Sequence, residues 1–404
     1  MKERLKAPEL RFDGFTDDWE ERKLTDVTYS YSGLTYSPTD VQDKGTFVLR
    51  SSNVKNDQLI DADNVYVNPD IVNSNNVKVG DVIVVVRNGS RSLIGKHAIV
   101  TKEMPHTVIG AFMSAFRGEN GDYINALLST NNFQKEVHKS LGATINQITG
   151  KDFSMMNFLT PKLEEQNKIG SFFKQLDNTI ALHQRKLDLL KEQKKGYLQK
   201  MFPKNGAKVP ELRFAGFAED WEERKLRDLL NKNSEKNKNL SVINVESVSN
   251  KTGFTKQTDQ FEDYSVASAD LSNYYVIREK QFAYNPSRIN VGSIAYKDLG
   301  DEISVVSPLY VSFSTKKVLN DGFLWNWFKT ASFDAQRQRL SEGGVRDTLS
   351  FNQLSEMNTM FPTYPEQEKI GSFFQQLDET IALHQRKLDL LKEQKKGFLQ
   401  KMFV

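Results

Sequence analysis

The chain has 404 residues, 38% of them hydrophobic and 26% charged, enough for two or three domains with cores of their own. Its 55 basic and 52 acidic residues leave a net charge of +3, so a polyanionic partner would have to meet positive charge that is concentrated locally. The absence of cysteine excludes disulfides and thiolate metal sites and fits a reducing cytoplasm, and no run of eighteen apolar residues marks a membrane-crossing helix.

The start, MKERLKAPELRF, has basic residues but no apolar stretch of a signal peptide. Residues 8–27, PELRFDGFTDDWEERKLTDV, form an aromatic-rich segment with Phe12, Phe15 and Trp19. Its neighbours Asp17, Asp18, Glu20 and Glu21 would repel phosphate, so these rings read as a clasp packed on protein rather than as a base-stacking platform. Residues 28–160 mix short alternating runs with turn signals. Within them VKVGDVIVVVRNGSRSLIGKHAIV (77–100) reads as strand, tight turn, strand, and a helical stretch follows near 121–141. Residues 161–203 read as one long helix that starts on Glu164 and Glu165, suited to the helix dipole, and stops at Pro203.

The pattern then recurs. PELRFAGFAEDWEERKLRDL (210–229) matches 8–27 with five differences, and IGSFFQQLDETIALHQRKLDLLKEQKKGFLQKMF (370–403) matches 169–202 with three. Between them, 230–361 does not visibly align with 28–160, although 278–298 again reads as strand, tight turn, strand, and 321–341 as helical. The segments are therefore an N-terminal clasp (1–27), a first variable domain (28–160), a central helix (161–203), a second clasp (204–229), a second variable domain (230–361) and a C-terminal helix (362–404). The expected fold class is α+β: two globular domains of small α+β type, joined by two long helices with a pseudo-twofold internal repeat.

Each long helix carries a stripe in steps of four and three, apolar except for its histidine: Phe173, Leu176, Ile180, His183, Leu187 and Leu190, repeated as Phe374, Leu377, Ile381, His384, Leu388 and Leu391. Such a stripe cannot be buried by one helix alone. The economical solution is that the two pack on each other, and equivalence of the halves makes them antiparallel. His183 and His384 lie near mid-helix and are expected to approach one another near the axis as a polar pair that sets register.

Catalytic signatures are missing. The stretch Gly89–His97 has the wrong spacing for a phosphate loop, Asn285-Pro286-Ser287-Arg288 lacks the second proline and the aromatic of an adenine-methyltransferase motif, and the five histidines form no ligand-spaced cluster. Polar, basic turns are more informative. They offer Arg50, Ser52 and Asn53; Arg87, Asn88, Ser90 and Arg91; Tyr284, Asn285, Ser287, Arg288 and Asn290; and Arg346. Arginine reads guanine and asparagine reads adenine in the major groove, while serine and lysine hold phosphates. These features leave three readings open, of which two are a DNA-binding protein and a coiled-coil scaffold with two protein-binding domains. A stand-alone nuclease is a third.

Two variable domains, each preceded by the LRF-GF-WE-RKL clasp and followed by the EQ-KIGSFF-LD-I-LHQ-KL-LK-KKG-LQ-MF helix, resemble the specificity subunit of type I restriction-modification systems over essentially the whole chain. Gly80-Asp81, and the run from Tyr284-Asn285-Pro286 to Gly292-Ser293-Ile294, also resemble that family's recognition-domain turns. The resemblance implies that the variable domains are target recognition domains on double-stranded DNA and the helices are spacers. It implies a complex with two modification subunits, which bind S-adenosylmethionine and methylate adenine, and two restriction subunits, which use ATP and Mg2+ to translocate and cleave DNA. It implies no cofactor, no metal and no catalytic site in this chain, and no membrane association.

Overall fold

A computed structural model describes residues 7–141, 146–204, 207–257, 270–341 and 348–404. The chain forms two compact units, residues 1–185 with 386–404, and residues 186–385. Each unit holds one clasp, one variable domain and a stretch of both long helices. These helices are α1 (Leu163–Lys200) and α2 (Tyr364–Met402), 38 and 39 residues long. At 1.5 Å per residue they run for about 57–59 Å. No helix of the described residues is long and apolar enough to cross a membrane.

Within the first unit, Phe172 of α1 meets Phe398 of α2 edge to face at 5.0 Å. Five residues further along α1, Asp177 pairs with Lys395, three residues earlier in α2, at 2.7 Å. The stretches are therefore antiparallel. The second unit repeats the arrangement with the roles exchanged: Phe373 meets Tyr197 at 5.0 Å, and Asp378 pairs with Lys194. Carried along the helices, this register sets Leu388 level with His183 and Leu187 level with His384. Each histidine thus shares its layer with a leucine that is 1% exposed.

The variable domains share a topology that their sequences conceal. In the first, strands β1 (Tyr29–Ser32), β2 (Val82–Val85), β3 (His97–Ile99) and β4 (Met113–Arg117) form an antiparallel sheet in the order β1-β4-β2-β3. In the second, β5 (Leu230–Lys232), β6 (Gln281–Tyr284), β7 (Ile294–Lys297) and β8 (Val311–Thr315) take the same order, β5-β8-β6-β7. Two helices follow in each, Gly121–Leu128 with Asn131–Ser140, and Asp321–Trp327 with Ala331–Ser341. Asn120 and Asn320 cap the first of each pair through Tyr123 N and Phe323 N, and Thr130 and Thr330 accept from Phe133 N and Phe333 N at the start of the second.

Outside this shared frame the domains diverge. The first adds a second sheet in which Thr107–Ile109 lies parallel to Thr46–Leu49. The second adds the hairpin Glu246–Ser249 with Gly253–Lys256 and the pair Tyr275–Ile277 with Ser304–Val306. The tight turns expected within 77–100 and 278–298 are longer connections, residues 86–96 and 285–293, each containing a short 3-10 turn. The paired strands are present, but the connecting residues are occupied by side-chain and backbone bonds of their own rather than by a two-residue reversal.

The clasps join these parts. Strand Glu20–Lys23 pairs with Asn157–Thr160, just before α1, and Glu222–Lys225 pairs with Asn358–Phe361, just before α2. Arg11 grips Glu165 with two charge-assisted bonds of 2.6 and 2.8 Å, and Arg213 grips Glu366 with two of 2.7 Å. Both carboxylates are buried, so Glu165 serves as the clasp's anchor as well as a first-turn acid. An aromatic cluster completes each core: Trp19, Tyr123, Phe173 and Phe403 in one unit, Trp221, Phe323, Phe374 and Phe202 in the other. Each cluster draws one ring from a clasp, one from a variable domain, one from a long helix and one from the residues just past the end of the other.

Glycine explains how closely a variable domain sits. A Cβ on Gly371 would lie 2.7 Å from Asn320 Oδ1 and 3.1 Å from Phe323 N, and one on Gly170 would lie 2.9 Å from Asn120 Oδ1 and 2.8 Å from Tyr123 N. A Cβ on Gly196 would meet nothing within 4 Å. Gly371→Ala should therefore destabilise the chain by about 1–3 kcal/mol through overpacking, despite alanine's better helix propensity. Gly196→Ala should stabilise it by up to about 1 kcal/mol. Urea unfolding of both variants checks the pair. Equal responses would show that the close approach is not what requires Gly371.

Candidate nucleic-acid interface

In the first variable domain two of the polar turns come together. Asn88 Nδ2 donates to Ser51 Oγ at 3.3 Å, which joins the 86–96 connection to the 3-10 turn Ser51–Asn53. The connection is braced from a third segment. Ile148 N donates to Val86 O, Asn146 Nδ2 to Gly89 O at 3.2 Å, and Arg91 Nε to Asn146 Oδ1 at 2.8 Å. Asn88 Oδ1 accepts from Ser90 N, and the Ser90 and Ser92 hydroxyls bond each other at 2.9 Å. The Arg87 guanidinium lies 4.9 Å from the centre of the Phe112 ring, an aromatic that is itself 52% exposed. Ser52, Arg87, Ser90 and Arg91 are exposed and Asn88 is half-buried.

Two residues of the first-domain set have other work. Asn53 is fully buried: its amide donates to Ala62 O at 2.6 Å and its Oδ1 accepts from Arg50 N at 2.9 Å, so it closes the turn from inside. This burial removes Asn53 from any reading surface. Arg50 is partly exposed and donates to the carbonyl of Asp63 at 2.8 Å and to its carboxylate. It presents a charge already shared with an acid.

In the second domain the 285–293 connection occupies the equivalent place after β6. Asn285 Oδ1 accepts from Ser287 N, Leu349 N donates to Pro286 O, and the Ser293 hydroxyl donates to Val248 O at 2.8 Å. Gly292, at φ +82°, ends the 3-10 turn in the left-handed region. Ser287, Arg288 and Asn290 are exposed and Asn285 is half-buried. Tyr284 is not part of this surface. It is wholly buried with its ring near Phe313, and burial pushes its hydroxyl's pKa well up. Strand β6 is buried on both faces, so its last residue turns into the core. Arg346 lies outside the described residues.

The recognition-type turn at Gly80-Asp81 is structural. Asp81 is 1% exposed and holds Arg117 with two bonds of 2.7 Å, the Tyr31 hydroxyl at 2.7 Å and Lys78 N at 2.7 Å. Burial and the neighbouring carboxylate raise the Tyr31 pKa. The fork fixes β1 and β4 to the turn that launches β2. Phe112 and Asn146 escaped the sequence reading because their partners, Arg87 and Arg91, lie 25 and 55 residues away along the chain.

A family model for the type I restriction modification DNA specificity domain matches residues 16–192 and again 218–393. The chain belongs to that family. Its two specificity domains each run from a clasp through a variable domain into a long helix. The chain is 27% identical over 179 residues to the type I restriction enzyme StySPI specificity subunit of Salmonella potsdam, across 41% of this chain and 38% of that protein. It is 25% identical over 189 residues to the EcoKI specificity subunit of Escherichia coli K12, across 43% and 40%. The matched stretch thus spans about two fifths of the length of those relatives. The crystal structure of the type I restriction-modification S subunit from M. genitalium aligns with 98% of this chain and 99% of its own, at 14% identity and a TM-score of 0.66, a likeness of fold.

Arg87 and Arg288 sit on the corresponding connections of the two domains. Alanine at Arg87 is expected to cost about 1–3 kcal/mol of discrimination at one half of a DNA target and leave the other half unchanged, and Arg288→Ala the converse. Binding measured against a panel of single-base substitutions checks this. A uniform loss across all sequences would mean that the arginines hold phosphates.

Proposed function

We propose that this chain is the DNA-binding specificity subunit of a type I restriction-modification complex. Its two variable domains are target recognition domains, each reading a short half-site in the major groove, and its helix pair is the constant spacer and docking element. The observation that carries this reading is one sheet order, β1-β4-β2-β3 and β5-β8-β6-β7, borne twice on near-identical helices with unlike connections at the same place. A constant frame with two unlike reading heads suits an asymmetric bipartite target: two specific blocks separated by a fixed unspecified gap. Readers that face the same side of B-DNA lie about one helical turn apart, about 34 Å or 10 base pairs centre to centre.

In this reading the chain performs no chemistry. Two modification subunits bring S-adenosylmethionine and methylate adenine. Two restriction subunits bring ATP and Mg2+ and cleave DNA, all in the cytoplasm. The chain selects where they act.

Sequencing the methylated bases in a host that carries the complete system reads out the target directly. A single continuous methylated sequence, or none, would overturn the proposal. Inserting one heptad into α1 alone, about 10 Å of helix, is expected to change the gap by about three base pairs and leave both half-sites intact. Altered half-sites would refute the spacer role.

A further inference from the structure

The two units use the same helix residues but surround them with opposite charge. In the first unit Lys395 bonds Asp177 at 2.7 Å and lies 3.6 Å from Asp57. Asp57 reaches it from a two-residue turn, Asn56-Asp57, in which both residues adopt the left-handed backbone that a tight hairpin needs. One lysine thus faces two carboxylates. The residue before the capping Thr130 is Ser129, whose hydroxyl bonds His97 Nε2 at 3.0 Å.

In the second unit the equivalent pair is Lys194 with Asp378, and no acid corresponding to Asp57 approaches among the described residues. The residue before the capping Thr330 is Lys329. Its ammonium lies 3.9 Å from the same Asp378 and 4.3 Å from the centre of the Trp325 ring. Here two lysines share one carboxylate.

This site opens on a cavity of about 950 Å3 that lies wholly within the second unit. Six lysines line it: Lys191, Lys194, Lys195, Lys200, Lys204 and Lys329. Its acids are Glu211, bound to Lys204, and Asp378. Lysines therefore outnumber acids by four around one space. The first turn of the helix Ala331–Ser341 borders it too, adding the partial positive charge of its leading amides. Dehydration, and next the charge of Lys194, pull the Lys329 pKa down to about 7, while 30% of its side chain remains exposed. A lysine held at such a cost, in a cavity, by a like charge is the arrangement that an incoming anion relieves.

We propose that this cavity binds phosphate-bearing anions, and that Lys329 is the residue that separates it from its counterpart in the first unit. The chemistry is electrostatic: the point charges of Lys329, Lys194 and the exposed helix lysines Lys191 and Lys195 surround a phosphate group, and the Ser332 hydroxyl can donate to it. The phosphate could belong to a free polyphosphate or to the backbone of a duplex. The inference rests on the cavity alone, so its first arm is independent of whether the chain reads DNA.

The test is calorimetric titration of the full chain with inorganic tripolyphosphate at pH 7 and low salt. Saturable binding is expected, weakened about tenfold or more in Lys329→Ser, which installs the first unit's residue, and retained in Lys329→Arg. Lys195→Gln, at an exposed helix position outside the core, should weaken it as well. Anion binding should also fall as pH rises from 7 to 9, because Lys329 loses its proton. In the anion's absence the sign for stability is opposite: the unfolded lysine holds its proton up to about 10.5. Wild type should therefore gain stability between pH 7 and 10, and Lys329→Ser should gain less.

A second arm identifies the source. If the phosphate is that of duplex DNA, Lys329→Ser lowers the slope of log affinity against log salt by about one, and tripolyphosphate competes with DNA. If it is a free anion, the slope is unchanged while tripolyphosphate binding is lost. Absence of saturable binding, or equal affinity in wild type, Lys329→Ser and Lys195→Gln, would overturn the proposal.

Discussion

A buried carboxylate near the start of each long helix is the constraint from which the rest of the architecture follows. Glu165 and Glu366 are 1% and 0% exposed, and an ionised carboxylate taken that far from water is tolerable only if its oxygens are fully engaged. Arg11 and Arg213 engage them with a planar fork that lysine could not supply. In the first unit the Trp19 indole N–H adds a further bond at 3.1 Å. The helix can bury its first turns only when a segment some 150 residues earlier has folded back upon it. The clasp is in that sense part of the helix's own cap, which is why the two repeat together.

From that anchor the cores assemble in the same way twice. Each aromatic cluster requires the clasp, the variable domain, the beginning of one long helix and the end of the other to be present at once. Leu10 N bonds Lys401 O at 2.8 Å, and Leu212 N bonds Lys200 O at 2.9 Å, so the clasp also satisfies carbonyls that the helix ends leave open. The energy of the frame is invested in residues common to both halves. The connections after β2 and β6 are held by turns of their own and by hydrogen bonds from other segments of the same variable domain, and are free to differ.

Much of this frame was legible in the sequence because it depends on residues close together or repeated. The stripe from Phe173 to Leu190 declares a helix, and its second copy declares a partner. The clasp's aromatics, hemmed in by acids, pointed to protein rather than to nucleic acid, and Trp19 and Trp221 are indeed 2% exposed. The common topology of the variable domains was hidden. Val82–Val85 and Gln281–Tyr284 hold the same place in their sheets with no residue in common, because a strand buried on both faces asks for bulk rather than for a pattern. Only the caps persist, Asn120 with Tyr123 and Asn320 with Phe323, signals too short to align by eye. At the surface the difficulty is different. Asn53 and Arg87 look equally available in a sequence, yet one side chain closes its own turn from inside and the other stays exposed, and the deciding partners, Ala62 and Phe112, lie nine and 25 residues away.

Gly170 and Gly371 bear on how such a molecule can change. Where a side chain is absent from a joint, fit is judged on contour alone, and here the visiting surface is the blunt tip of a capped helix. A foreign domain ending in the same tip would meet the same contour, whatever its outer loops carry. Novelty at the periphery and conservatism at the hub are then two faces of a single missing methyl group.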